Sequence, residues 1–184
     1  DNQKIETHYS TSHVSMEGPD KMVYQRIGTK GKYGFWFNGT YASYYSFKEN
    51  NYVVLESPGN IIEMIDNLHT RFDFKFPAAD FFYPSFTDDI LEEFNTLEFL
   101  GKTVVEGEEC FYLRATNENM QFQLWISSSN QNLPKRLVLI QKGNQNLRFE
   151  SVFKSWDLNP KLPSTMFEFL PPPKSKLIDI MEKS

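Results

Sequence analysis

Two runs of alternating apolar and polar residues flank one stretch of helical periodicity in this chain. Residues 4–15, 22–29, 41–47 and 52–56 are rich in Thr, Tyr, Ile and Val and read as strands. Glu17-Gly18-Pro19-Asp20, Lys30-Gly31-Lys32 and Glu49-Asn50-Asn51 are turns by composition. Phe35-Trp36-Phe37 runs into Asn38-Gly39, the strongest short hairpin signal a sequence carries.

The period changes at Ser57-Pro58-Gly59-Asn60. Asn60 stands three residues before Glu63, a capping-box spacing, and Ile61, Ile65, Leu68 and Phe72 then recur on one helical stripe. An amphipathic helix is expected from 61 to about 74. Pro77 and Pro84 interrupt the chain, and a shorter helix is expected over 88–95, capped by Ser85 or Thr87.

From Leu97 the alternation returns. Strands are expected over 97–105, 110–116, 121–127, 135–142 and 148–156, the last broken in its alternation as if by a bulge. Phe122, Leu124 and Ile126 point one way and Gln121, Gln123 and Trp125 the other; Phe111, Leu113 and Ala115 oppose Tyr112 and Arg114 likewise. Such patterning marks an antiparallel sheet with one covered face. Pro171-Pro172-Pro173 leads to a last short edge strand or loose tail over 177–181. The expected fold is mainly β (α+β), a single domain over residues 1–184. It is meander, helical insert, meander, with the sheet curled by its twist and the helices covering the concave face.

Composition sharpens this picture in one respect. Of 184 residues, 17 are Phe, 9 Tyr and 3 Trp, enough aromatic area to fill a core or to line an apolar cavity. Phe72, Phe74, Phe76, Phe81, Phe82, Tyr83 and Phe86 crowd around the two prolines. They either plug the gap between helix and sheet or form a flap over a cavity. A net charge of −5 and the lack of a basic cluster argue against nucleic acid. No apolar run approaches the roughly 20 residues of a membrane helix. The single Cys110 forms no intrachain disulfide and reads as a buried structural thiol. Asp1 in place of Met fits a removed leader peptide or a trimmed chain.

Candidate chemistry does not assemble. His8 and His13 lie on opposite faces of one expected strand, and His69 falls in the helix, so no metal or cofactor set is expected. Asp88, Asp89, Glu92 and Glu93 suit a solvated helix whose N-terminus favours acids. Gly28 to Gly34 is glycine-dense without P-loop spacing, and no serine occupies a nucleophile elbow. The chain is expected not to be an enzyme.

A series of short motifs nevertheless resembles one family. Gln123-Leu124-Trp125-Ile126, Leu133-Pro134-Lys135-Arg136-Leu137-Val138, Trp156-Asp157-Leu158-Asn159-Pro160-Lys161-Leu162-Pro163, Phe167-Glu168-Phe169 and Pro171-Pro172 follow in order. Phe37-Asn38-Gly39, Glu56-Ser57-Pro58-Gly59, Pro77-Ala78-Ala79-Asp80 and Gly107-Glu108-Glu109-Cys110 precede them in the same pattern. The set is similar to a family of predicted periplasmic bacterial proteins (DUF2092-like), which itself looks like the lipoprotein-carrier LolA/LolB-like superfamily. The resemblance implies an open antiparallel half-barrel closed by helices around an apolar cavity. It also implies a periplasmic or cell-envelope location and a lipid, acyl-chain or lipoprotein ligand; it transfers no catalytic residue.

The leading expectation is therefore a non-catalytic binding protein for a hydrophobic ligand. Its wall would comprise Phe35, Phe37, Ile65, Leu68, Phe72, Phe111, Leu113, Phe122 and Leu124. The alternative is a cell-envelope sensor with a protein partner, which a large exposed apolar patch would favour.

Overall fold

The alternating segments of the first half pair in chain order. Strands β1 (Ser10–Glu17), β2 (Lys21–Gly28), β3 (Gly31–Phe37), β4 (Tyr41–Ser46) and β5 (Asn51–Glu56) form an antiparallel meander. The computed structural model describes residues 6–74, 76, 83–129, 131–143 and 147–182. Lys4, Ile5, Phe81, Phe82, the Pro77-Ala78-Ala79-Asp80 motif and the Asn144-Gln145-Asn146 turn lie outside these. The chain divides into two units, Asp1–Ala79 with Lys161–Ser184, and Asp80–Pro160.

In the first unit the Asn38-Gly39 signal closes the β3–β4 hairpin, with Phe37 opposite Ala42. Asn38 sits at the first corner, its Oδ1 accepting from the backbone N–H groups of Thr40 and Tyr41 at 3.2 and 2.9 Å. Gly39 takes φ +87°, the left-handed conformation that a II′-like turn requires at its first central position.

Helix α1 (Ile61–Phe72) begins where the capping box predicts. The Asn60 side chain accepts from Glu63 N–H at 3.0 Å, and Glu63 Oε2 accepts from Asn60 N–H at 2.8 Å. Ile61, Met64, Ile65 and Leu68 are buried on its apolar stripe. The helix ends at Asp73, left-handed at φ 54°.

One long sheet was the expectation; among the described residues the hydrogen bonding makes two. β5 is bordered on its far side by β11 (Lys176–Leu177), a two-residue parallel strand from the C-terminal segment. The C-terminal segment thus takes the backbone carbonyls of Asn50 and Tyr52, which accept from Lys176 and Ile178 N–H at 3.0 and 2.9 Å and which a continuing sheet would have used. On the way there, the 3₁₀ turn Ser164–Phe167 buries Phe167, and Phe169 lies against Trp36, Tyr45 and Tyr52 at 5.0, 6.2 and 5.4 Å. These three share one face of the sheet; the other carries Met22, Phe35, Phe37, Ala42 and Val53.

The second unit opens with α2 (Phe86–Glu93), preceded by Ser85 as the N-cap residue; the Ser85 hydroxyl donates to the Asp89 carboxylate at 2.8 Å instead of capping the backbone. A five-stranded antiparallel sheet follows: β6 (Thr96–Val105), β7 (Glu108–Thr116), β8 (Met120–Ser127), β9 (Pro134–Gln141) and β10 (Arg148–Val152), paired in that order. The expected bulge near 148–156 is absent because β10 stops at Val152. Register shifts fall instead between Phe99 and Lys102, where Gly101 has φ +90°, and between Trp125 and Ile126.

Candidate functional site

Strand alternation and helical periodicity meet at one apolar surface in the first unit. Direct pairing places Phe35 between Tyr24 and Tyr44, and Phe37 between Met22 and Ala42. The residues that leave α1 fold onto this face. Phe74 lies 6.1 Å from Phe35 and 5.9 Å from Tyr44, and Phe76 packs edge-on against Phe35 at 5.2 Å. Phe74 and Phe76 also touch each other at 5.1 Å. The Phe74 N–H donates to Leu68 O at 3.3 Å, which ties this aromatic turn to the helix.

Of the expected wall residues in this unit, Phe35, Phe37, Ile65 and Leu68 are buried. Phe72 is half-buried, with the Arg71 guanidinium 4.9 Å from its ring. Tyr44, Met64, Phe74 and Phe76 were not in the expected wall. Met64 was available from helical spacing, and Tyr44 from counting back through the Asn38-Gly39 turn. Phe74 and Phe76 carried a signal only as members of the aromatic run. Burial and the neighbouring Tyr33 push the Tyr44 hydroxyl above its ordinary range, so it stays a neutral phenol on this surface.

In the second unit Phe111 and Leu113 stand opposite Ile126 and Leu124, and Ala115 opposite Phe122, all on one face as alternation predicted. Phe122 and Leu124 are buried, and Phe111 and Leu113 half-buried. Phe122 meets Phe86 at 6.0 Å and Phe94 at 6.3 Å, so α2 and the residue after it supply cover. Edge strand β6 is different: Leu97, Phe99 and Val104 are exposed, at 47, 62 and 67 %. The nine expected residues therefore form two groups, five in one unit and four in the other.

Cys110 lies outside both surfaces. It is fully buried beside Val105, Trp125 and Val138, and burial pushes its thiol up, as for a structural cysteine. Among the described residues no group of three or more His, Cys, Asp or Glu side chains could hold a metal ion.

Comparison with known proteins then places the chain. The profile of a family described as "Predicted periplasmic protein (DUF2092)" matches residues 1–181. The chain belongs to this family. Its compartment is accordingly the periplasm, and no helix among the described residues of this DUF2092 protein is long and apolar enough to cross a membrane. No curated protein matches it. Among solved structures it is similar to an uncharacterized conserved protein from Thermus thermophilus, with 10% identity and a TM-score of 0.42. That match covers 94% of this chain and 90% of the other.

Proposed function

We propose that this DUF2092 protein is a non-catalytic periplasmic binding protein for a hydrophobic ligand, a lipid or the acyl chain of a lipoprotein. The observation that carries the reading is the aromatic turn after α1, with Phe74 and Phe76 laid over Phe35 and Tyr44. Rings held face to edge by a short turn can part around an acyl chain without breaking a hydrogen-bonded ladder. Transfer into such a site is driven by apolar area, at about 25 cal/mol per Å². The one hydroxyl among these four residues, on Tyr44, stays uncharged and does not oppose it.

The same reading takes the chain as one LolA/LolB-like domain spanning residues 1–184, of the half-barrel class covered by helices. Its mainly antiparallel strands and its helices after β5 support this assignment. The wall in the second unit would be Phe111, Leu113, Phe122 and Leu124.

The test is solvent extraction of protein purified from the periplasm, followed by titration with a fluorescent fatty acid. Extractable lipid and saturable binding are expected, with weaker binding by Phe74→Ala/Phe76→Ala at unchanged circular dichroism. Protein that carries no lipid and takes up no probe overturns the reading. The assignment then passes to an envelope interaction domain, for which exposed Leu97, Phe99 and Val104 are the observation.

A further inference from the structure

The five-stranded sheet has a second face that an apolar ligand would not use. On β7 and β8 it presents Tyr112, Arg114 and Thr116 beside Trp125, Gln123 and Gln121. Its two ends differ in chemistry. At one, the Tyr112 and Trp125 rings stack at 4.4 Å and 6°, and the Arg136 guanidinium lies 4.8 Å from the Trp125 ring. That end is packed against Val105, Cys110 and Val138. At the other end the side chains part around an open groove of about 300 Å³, lined by Thr96, Glu98, Arg114, Thr116, Gln121 and Lys142.

Every one of these six side chains ends in a polar group, which a lipid tail would leave without a hydrogen-bond partner. Five of them are cross-strand neighbours: Thr96 faces Thr116, Glu98 faces Arg114, and Thr116 faces Gln121. Ladder positions of this kind fix functional groups better than loops do. Arg114 donates from Nε to Glu98 at 2.8 Å; among the described residues it makes no other side-chain hydrogen bond, so both Nη groups are available. Lys142 Nζ donates one bond, to Asn117 O at 2.7 Å, and keeps two further protons. The groove therefore offers two cations, one carboxylate, two hydroxyls and an amide. The Arg114 hydrogen bond holds the Glu98 carboxyl below the usual carboxylate range, so it remains an acceptor at neutral pH.

We propose that this groove binds a small sugar acid. The ligand's carboxylate meets Arg114 and Lys142, and its hydroxyls meet Thr96, Thr116, Gln121 and Glu98. A planar carboxylate matches the free guanidinium nitrogens in a bidentate manner. Ring hydroxyls both donate and accept, which the mixed lining demands. Inorganic phosphate satisfies the cations but brings more negative charge beside Glu98 than a single carboxylate does, and it has no ring hydroxyls for Thr96, Thr116 and Gln121. A neutral sugar brings no anion for Lys142, whose hydrogen bond is to the uncharged Asn117 carbonyl.

The experiment is an amide NMR titration of the full chain with N-acetylmuramic acid and glucuronic acid. N-acetylglucosamine, which lacks the carboxylate, and inorganic phosphate serve as comparators. Saturable shifts confined to β6, β7, β8 and the residues around Lys142 are expected with a sugar acid, and binding at least about tenfold weaker with either comparator. Arg114→Gln and Lys142→Gln each remove one charge-assisted hydrogen bond and are expected to weaken binding by about tenfold. Both positions are solvent-accessible, and an unchanged spectrum outside the groove verifies folding. The proposal is overturned if neither acid gives saturable shifts, if a comparator binds equally well, or if both variants bind like the wild type. None of these results bears on acyl-chain binding at the aromatic turn after α1 or on the opposite, Phe122 face of this sheet.

Discussion

The Trp36 indole lies across the space above Gly34, two residues earlier on the same face of β3. A β-carbon built on Gly34 would come within 2.2 Å of Trp36 Cη2. Phe169 packs against the same ring at 5.0 Å, which limits its freedom to swing away. Gly34 is thus a packing glycine, and its backbone needs no unusual φ. Gly34→Ala is expected to destabilise the first unit by about 1–3 kcal/mol, the usual cost of overpacking. Urea unfolding followed by Trp fluorescence measures this; an unchanged midpoint would show that Trp36 has room to move.

Phe167 is the anchor of the returning C-terminal segment. It is 1 % exposed, and the Lys21 ammonium lies 6.0 Å from its ring. Phe167→Ala is expected to cost about 3–5 kcal/mol, as for other fully buried phenylalanines. Limited proteolysis should show the accompanying release of β11 from β5, by faster cleavage after Lys174 and Lys176.

The Asn60–Glu63 box predicts a smaller, local effect. Asn60→Ala removes the acceptor for Glu63 N–H and is expected to cost about 1 kcal/mol. Hydrogen exchange should speed up in the first turn of α1 while the β2–β3 ladder stays protected.

Acid sensitivity is expected in the second unit. Glu108 accepts a hydrogen bond from the Ser127 hydroxyl and pairs with Lys135 at 2.9 Å, and these contacts hold its carboxyl below the ordinary value of 4.5. A depressed folded-state pKa means the contribution is complete above pH 4.5 and is lost as pH falls through the lower folded value. Glu108→Gln should therefore be less stable than wild type at neutral pH, with the gap closing in acid. The effect is small because the carboxylate is solvent-accessible. Urea midpoints between neutral pH and strong acid give the measurement.

Phe122→Asp places a carboxylate against Phe86 and Phe94 on the covered face of the second sheet. Loss of folding or of ligand uptake is expected, because a buried unpaired charge is among the costliest substitutions. Retention of both would mean that the face is assigned wrongly.

Elements with local causes were legible from the chain. Asn38-Gly39, the Asn60–Glu63 box and the α1 stripe each depend on residues within a few positions of one another. Strict alternation likewise assigned Phe111, Leu113, Phe122 and Leu124 to one face, because pleating alone sets which way a strand residue points. Register shifts were not legible. The expected one near 148–156 did not occur, and the one at Gly101 was marked only by an isolated glycine within the strand.

The sequence by itself therefore determined, to within several residues, where the main strands and the two helices fall, and the apolar face of α1, β7 and β8, since these follow from periods of 2 and 3.6 residues. Only the tertiary structure decided that β5 pairs with β11 rather than continuing into a longer sheet. It alone laid Phe74 and Phe76 on Phe35, sealed Trp36 under Phe169, and opened a polar groove beside Arg114. Each of those outcomes joins residues far apart in the chain or compares the volumes of side chains competing for one space, and no local period encodes either.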